Sequence, residues 1–190
     1  MAVSVYLGLV HYPVYNKCGN IITTAITNFD IHDIARAART YGIERYFLIH
    51  PLTNQVDLAR EILCYWQEGS GRTYNPDRCD ALQIVDIVSD ISAACAAIAS
   101  IEGDNPIIVT TDARKYETTV SYMSLRNILK TANQPCLLLF GTGWGIEKSV
   151  MERFDYILEP VYGNKDYNHL SVRSAVSIIL DRLLGQPWWE

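Results

Sequence analysis

The chain alternates between short apolar runs and longer segments in which apolar residues recur every three or four positions. The short runs are almost continuously apolar, which is typical of strands in a parallel sheet with both faces covered. They predict strands over residues 4–11, 45–51, 81–88, 106–111, 135–141 and 156–160. Most of these strands are followed by enough residues for a helix that returns the chain across the sheet.

The longer segments carry the spacing of amphipathic helices. Ile31, Ile34, Ala35 and Ala38 share one helical face, for example. Comparable helices are predicted around 91–98 and 172–183, and less regular ones over 54–68 and 121–132. Because strands alternate with helices, the sequence predicts an α/β fold with a mainly parallel sheet and helices on both faces.

Residues 68–80 form the longest interior segment without such a pattern. Their Gly, Asn and Pro residues predict an exposed and mobile loop. No repeat or change of composition marks a boundary, so residues 1–190 are predicted to form one domain. Near the C-terminus, Trp188 and Trp189 indicate a contact surface.

Composition narrows the possible classes of function. Of 190 residues, 49% are hydrophobic, which is sufficient for a substantial core. No apolar run could span a bilayer and no secretory signal is recognisable, so a cytoplasmic location is expected. The net charge of −5 argues against a protein that coats nucleic acid, although a local basic patch stays open. The five cysteines lack zinc-ligand or disulfide-framework spacing, so no metal site is predicted.

The segment LLLFGTGWGIEKS, residues 137–149, carries glycines at positions 141, 143 and 145 directly after an apolar run. Glycine permits positive φ and the close approach of other atoms to the backbone. The repetition therefore predicts a ligand-binding loop. It does not match nucleotide-binding patterns, because the dinucleotide fingerprint places its glycines after the first strand and a Walker loop needs Gly-Lys-Ser/Thr.

Ligands of open α/β sheets bind beyond the carboxyl ends of the strands. Polar or glycine-containing segments follow three predicted strands, at 110–114, 141–145 and 160–171. We expect these loops to lie side by side. They would form one site of backbone amides and carbonyls with a few hydroxyl groups.

Four motifs, in order along the chain, resemble those of the SPOUT class of methyltransferases. They are DIHDIARAARTYGIERYFLIHP (30–51), FGTGWGI (140–146), ILEPVYG (157–163) and YNHLSVRSAVSIILDRL (167–183). TTDAR at 110–114 also resembles the loop after the fourth strand in the branch that methylates the RNA 2′-hydroxyl. The likeness covers almost the whole chain and is nearest to a small single-domain bacterial family of RNA methyltransferases.

The resemblance implies a C-terminal trefoil knot, S-adenosylmethionine as cofactor and methyl transfer to RNA, either tRNA or rRNA. It also implies a homodimer, with helices like those at 23–41 and 170–184 completing the site across the subunit interface. The residues that it assigns to the cofactor are Thr110, Gly141, Thr142, Gly143, Gly145, Ile146, Leu158, Pro160, Gly163, Asn168, Leu170 and Ser171.

The resemblance gives these residues different roles. Side chains at the loop glycines would obstruct either the knot crossing or the adenosyl group. Leu158, Pro160 and Gly163 would line the adenine pocket, and residues 168–171 would close it. A plainer interpretation of Ser171 is that it begins a helix.

Arg36 is the predicted catalytic residue, because the matching arginine of SPOUT enzymes lies beside the transferred methyl group. Its guanidinium suits a phosphate through its fork of donors. The alternative is a surface ion pair with Asp33. Weaker candidates are Arg39 and Arg114 for RNA contact and His169, Asn168 and Asp30 for handling a proton.

Three positions depart from the pattern of the class. An acid is missing where Gly143 stands, an asparagine is missing near Ser171, and His32 replaces a common glycine. These differences leave the acceptor open between a ribose 2′-hydroxyl, a base nitrogen and a group outside RNA. A non-catalytic protein that keeps the cofactor pocket, as a sensor or an RNA-assembly module, is the alternative function.

Overall fold

The computed structural model describes residues 3–165 and 167–186. Its strands are β1 (Val5–Val10), β2 (Val14–Tyr15), β3 (Ile21–Ile22), β4 (Tyr46–Ile49), β5 (Val85–Val88), β6 (Ile107–Thr111), β7 (Thr119–Val120), β8 (Cys136–Gly141) and β9 (Tyr156–Leu158). Seven of them form one sheet in the order β5-β4-β1-β8-β6-β9-β7, with parallel pairings throughout. β2 and β3 pair separately as an antiparallel hairpin. The mainly parallel sheet predicted from the sequence is confirmed.

Helices lie between most of the strands. They are α1 (Asn28–Thr40), α2 (Thr53–Gln67), α3 (Ser70–Tyr74), α4 (Pro76–Leu82), α5 (Ile91–Glu102), α6 (Tyr122–Thr131), α7 (Lys148–Met151) and α8 (Val172–Leu184). They divide between the two faces of the sheet, which confirms the predicted α/β architecture.

The alternation of side chains along β1 shows why both faces need helices. Leu7 and Leu9 lie in a core that residues of α1, α2, α6 and α8 complete. Tyr6 and Val10 lie in a second core with residues of α5 and α7. Because successive residues of a strand point to opposite faces, a fully apolar strand places apolar side chains in both cores.

The prediction of a loop over residues 68–80 is wrong, because α3 and α4 occupy most of it, although most of these residues are exposed as predicted. Asn75 is the N-cap of α4 and accepts a hydrogen bond from the amide of Arg78 at 2.9 Å. A proline in the first turn of α4 supplies a backbone angle that suits a helix start. The strand predicted from residue 81 begins only at Val85, since α4 continues through Leu82.

Helices α1 and α8 pack against each other, and an ion-pair cluster joins the first two turns of α1 to the first turn of α8. Arg173 of α8 pairs with Asp30 of α1 at 3.0 Å and with Asp33 at 3.3 Å. Asp30 is buried, so its charge is compensated by this partner. The cluster fixes the start of α8, and with it the end of the loop after β9, against the helix that carries Arg36.

Three further predictions concern a membrane span, the trefoil knot and the C-terminal tryptophans. No helix within residues 3–165 and 167–186 is long and apolar enough to cross a membrane. The trefoil knot stays a prediction. Trp188 and Trp189, predicted to form a contact surface, lie outside the described residues.

Candidate cofactor and substrate site

The loops after β6, β8 and β9 meet at one edge of the sheet. These strands are neighbours, in the order β8-β6-β9. Arg114, after β6, donates from Nη2 to the carbonyl of Trp144, after β8, at 3.3 Å. Asn168, after β9, donates from Nδ2 to the carbonyl of Ala113 at 3.0 Å. The predicted juxtaposition of the three loops is therefore confirmed.

Close contacts within the loop and with other parts of the protein explain why these positions are glycines. Gly143 has a φ of +59°, and a Cβ there would lie 2.8 Å from the carbonyl oxygen of Tyr15. Gly145 has a φ of +96°, and its Cβ would lie 2.9 Å from Nη2 of Arg114. At Gly141 a Cβ would lie 3.0 Å from the amide nitrogen of Ile146. Side chains at these positions would separate the loop from its neighbours.

The segment around β2 runs beside the glycine loop and binds it through backbone hydrogen bonds. Tyr15 donates to the carbonyl of Gly145 at 2.9 Å and accepts from the amide of Trp144 at 2.9 Å. Glu147 donates to the carbonyl of Pro13 at 3.1 Å. Ile146 is 1% exposed within the second core, so its side chain serves packing. The segment around β2 thereby fixes the loop from one side.

Glu147 ends the loop and begins α7. Its carboxylate accepts from the amides of Ser149 at 3.0 Å and Val150 at 3.1 Å, and from the hydroxyl of Tyr15 at 3.1 Å. The hydrogen bonds with Ser149, its hydroxyl above all, lower the pKa of this carboxyl group to about 2. The carboxylate therefore remains an acceptor for both α7 and the β2 segment at neutral pH.

A chain of hydrogen bonds connects the loop to β1. The hydroxyl of Thr142 donates to the carbonyl of Val10 at 3.0 Å and lies 2.5 Å from the hydroxyl of Thr24. Thr24 in turn lies 3.0 Å from Nδ1 of His11. Because a carbonyl only accepts, Thr24 donates to Thr142 and His11 donates to Thr24. His11 is thus the neutral tautomer with its proton on Nδ1.

His11 and His50 form a buried pair that the sequence analysis did not single out. Their ring centroids are 5.4 Å apart. His50 accepts at Nδ1 from the amide of Leu52 at 3.1 Å and donates from Nε2 to the carbonyl of Thr24 at 3.0 Å. Burial, with a smaller effect of His50, lowers the pKa of His11 to about 4, and burial also lowers the pKa of His50. Each histidine directly follows a buried parallel strand. Because residues at the carboxyl ends of such strands often line a site, this position in the sequence could have indicated both histidines.

The predicted adenine pocket contains apolar residues and an open glycine, and Thr110 is a separate predicted cofactor residue. Leu158 and Pro160 are buried at the end of β9. A Cβ at Gly163 would meet no atom within 4 Å, so packing within the described chain does not require glycine there. Thr110 is fully buried, and its hydroxyl has no hydrogen-bond partner among the described residues. The partners of Thr110 in the sheet are Leu139 and Ile157, so its side chain lies on the face opposite to Leu158, and its cofactor role stays a prediction.

The last predicted cofactor segment leads into α8. Ser171 is the N-cap of α8 and accepts from the amide of Ser174 at 3.3 Å, which agrees with the plainer interpretation of this serine. Leu170 is 46% exposed and His169 contacts the ring of Tyr167 edge to face, with centroids 5.6 Å apart. The cofactor roles of residues 168–171 stay predictions.

Arg36 is exposed on α1, and its guanidinium makes no hydrogen bond or ion pair with the residues that the structure describes. The alternative pairing with Asp33 is not formed, because Asp33 pairs with Arg173. Arg36 therefore has its donors available. His32, one turn earlier, packs edge to face on the indole of Trp66, with centroids 5.3 Å apart.

The weaker candidates are occupied by internal partners. Arg39 pairs with Asp80 at 2.8 Å. Arg114 binds both carboxylate oxygens of Asp112, at 3.0 Å and 2.8 Å. Asp30, which pairs with Arg173, is likewise committed to structure.

Comparison with known proteins gives matches over nearly the whole chain. The model of a family described as SAM-dependent RNA methyltransferase matches residues 4–185. A protein of Aquifex aeolicus (strain VF5), named only "Uncharacterized protein", is 44% identical over 183 residues, which are 96% of this chain and 89% of that one. A tRNA (guanine-N(1)-)-methyltransferase of Oleidesulfovibrio alaskensis is 42% identical over 182 residues, or 96% of this chain. The match spans only 42% of that longer protein.

A solved structure supports the fold independently. The A. aeolicus TrmH/SpoU tRNA modifying enzyme superimposes with a TM-score of 0.57, covering 97% of this chain and 75% of that one. Its sequence identity is 15%, so the likeness concerns the fold.

Proposed function

This chain belongs to the family of SAM-dependent RNA methyltransferases, and we propose that its methyl acceptor is a tRNA and that it acts as one domain. Two of the similar proteins described above carry tRNA in their names. The Oleidesulfovibrio relative is more than twice as long as the matched segment. Because the rest of that protein has no counterpart in the match, we do not assign its guanine specificity to this chain. A tRNA substrate also places the reaction in the cytoplasm.

The junction of the three loops is the observation that carries the site assignment. Residues after β6, β8 and β9 touch through the contacts of Arg114 and Asn168. The buried Leu158 and Pro160 and the open position at Gly163 fit the apolar part of a bent nucleoside. We assign S-adenosylmethionine to this junction, where backbone groups of Gly141, Thr142, Gly143 and Gly145 would hold it.

The requirements of a methyl transfer define what the cofactor supplies and what the protein must do. S-adenosylmethionine supplies a methyl group that its sulfonium has already activated. Transfer forms a bond from the acceptor atom to the methyl carbon as the carbon–sulfur bond breaks, and the acceptor releases one proton. The protein must therefore align the acceptor and exclude water. Arg36, with its free donors, would hold a phosphate beside the acceptor.

We also propose a homodimer in which α1 and α8 form the interface. A groove of about 570 Å³ lies between these helices. Its lining residues are Asp33, Ser171, Arg173, Ser174, Ser177 and Ile178. Phe29, at the start of α1, is 67% exposed beneath the guanidinium of Arg173. A second copy would cover this ring and bring a second Arg36 helix to the site.

The test is methyl transfer from labelled S-adenosylmethionine to separated tRNA and rRNA fractions. Wild-type protein should label tRNA, and mapping of the label identifies the acceptor atom. Arg36→Ala should reduce transfer by about 100-fold, because the acceptor is no longer aligned, and should keep the affinity for S-adenosylmethionine. Arg60→Ala, which removes an exposed arginine paired with Asp57, is the matched control.

Three results would contradict the tRNA assignment, the role of Arg36 or the proposed function itself. Label in rRNA alone would overturn the tRNA assignment. Equal transfer by the Arg36→Ala and Arg60→Ala variants would remove Arg36 from the site. Absence of transfer to either RNA fraction by folded wild-type protein would contradict the proposed function itself.

A further inference from the structure

An exposed tryptophan stands in the middle of the glycine loop. Trp144 lies between Gly143 and Gly145, and 56% of it is exposed. Its indole stacks on no aromatic ring or guanidinium of the described residues. A large exposed ring without a stacking partner among the described residues is available to stack on a ligand.

The backbone that carries this ring is fixed on both sides. The amide of Trp144 donates to the carbonyl of Tyr15 at 2.9 Å, and its carbonyl accepts from Arg114 at 3.3 Å. The flanking glycines have positive φ values and touch the β2 segment and Arg114. Contact with a ligand would therefore order little more than the indole itself, which lowers the entropic cost of binding.

The side chain of Arg114, which binds the carbonyl of Trp144, is itself held in place. Arg114 is held by two hydrogen bonds to Asp112, whose side chain is only 4% exposed. Tyr116 donates its hydroxyl to the same carboxylate at 3.1 Å. A bidentate pair with a buried carboxylate restricts the guanidinium far more than a surface ion pair would.

Neighbouring loops add exposed rings and cations at the same edge. The strands β1, β8, β6 and β9 are consecutive in the sheet and parallel, so their carboxyl ends lie together. The exposed rings that follow β1 and β9 are Tyr12 at 46%, Tyr162 at 52% and Tyr167 at 78%.

Three exposed lysines lie on loops at the same edge, namely Lys17, Lys115 and Lys165. None of them forms an ion pair within the described residues. Among the carboxylates here, Asp112 and Glu147 have internal partners, whereas Glu117 is exposed.

Rings and cations together are the chemistry that binds single-stranded nucleic acid. Bases that are not paired stack on aromatic side chains, and lysines contact the flanking phosphates. We propose that Trp144 stacks an unpaired nucleobase of the RNA substrate beside the methylated nucleotide. This assignment rests on the proposed function. The predicted adenine pocket is formed by residues 158–163, so the indole is left for the substrate.

The test compares Trp144→Ala and Trp144→Phe with Tyr74→Ala, a control that removes an 82% exposed ring on α3. The probes are unfractionated tRNA and a fluorescein-labelled single-stranded RNA of about ten nucleotides, a length within the known range of single-strand sites. Trp144→Ala should raise the Kd for RNA by about 5- to 150-fold, as expected for one lost base stack. Trp144→Phe should restore most of the affinity, and the Kd for S-adenosylmethionine should stay unchanged in all three variants.

Two results would overturn the assignment while leaving the proposed function intact. RNA affinity of Trp144→Ala equal to that of Tyr74→Ala would show that the indole binds no base. Loss of S-adenosylmethionine affinity with unchanged RNA affinity would place the indole at the cofactor. If wild-type protein binds neither RNA probe and transfers no methyl group, the proposed function fails, and this assignment fails with it.

Discussion

The glycines of the site fall into two groups according to what a side chain would meet. Gly143 and Gly145 have positive φ values and close protein neighbours, so substitution there strains the loop itself. Gly163 has neither constraint. Loss of cofactor binding after Gly143→Val would therefore be ambiguous, because the loop would shift from Tyr15. Gly163 offers the cleaner probe of the pocket.

Gly163→Val should weaken binding of S-adenosylmethionine about tenfold or more while leaving the thermal midpoint of unfolding unchanged. A Cβ at this position would meet no protein atom within 4 Å, and the valine side chain would occupy the predicted adenine pocket. Calorimetric titration measures the affinity, and a thermal melt checks the fold. Normal affinity in the folded variant would place the adenine elsewhere.

His11 makes a separate prediction about pH. Its folded-state pKa of about 4 lies below the ordinary value of 6.5, with burial as the main cause. The unfolded chain therefore binds a proton as the pH falls below about 6.5 while the folded chain does not, so stability decreases toward pH 4. Asp30 opposes this shift and His50 reinforces it.

At pH 5 His11 is protonated in the unfolded chain but neutral in the folded one. This difference should reduce the free energy of unfolding by about 2 kcal/mol relative to pH 7.5. His11→Asn should lose this part of the pH dependence, since the amide can replace the hydrogen bond to Thr24 without titrating. Urea unfolding at both pH values measures the difference. His169→Asn, at the surface, serves as the control, and the same pH dependence in both variants would refute the role of His11.

At the scale of elements, the strongly patterned segments could be predicted and the short ones could not. The predicted strands over 106–111 and 135–141 correspond to β6 and β8, because burial on both faces requires continuous apolar residues. β2, β3 and β7 contain two residues each, too few to show a period. α3 and α4 were missed because Gly, Asn and Pro were interpreted as loop residues, although Asn-Pro also begins a helix.

The candidate site shows the same division. Sequence position alone predicted which loops meet, since parallel neighbouring strands end at one edge. It could not predict what the glycines touch, because Tyr15 and Gly143 are far apart in the chain and their contact depends on the fold. The hydrogen-bond chain from His11 to Thr142 was hidden for the same reason.

At the scale of the whole molecule, the structure combines a predicted cofactor site, an arginine with available donors and an exposed aromatic ring. The loops after β6, β8 and β9 form the junction, α1 presents Arg36, and Trp144 marks the edge. The ion-pair cluster of Arg173 ties α1 to the end of the loop after β9. This arrangement suits an enzyme that holds a small cofactor in one place and a polymeric substrate beside it.

Calorimetric titration of the purified chain with S-adenosylmethionine and S-adenosylhomocysteine, with ATP and NAD as controls, tests the central claim most directly. The account predicts selective binding of the two sulfur compounds with one site per chain. Folded protein that binds neither compound, or that binds ATP or NAD equally well, would contradict it.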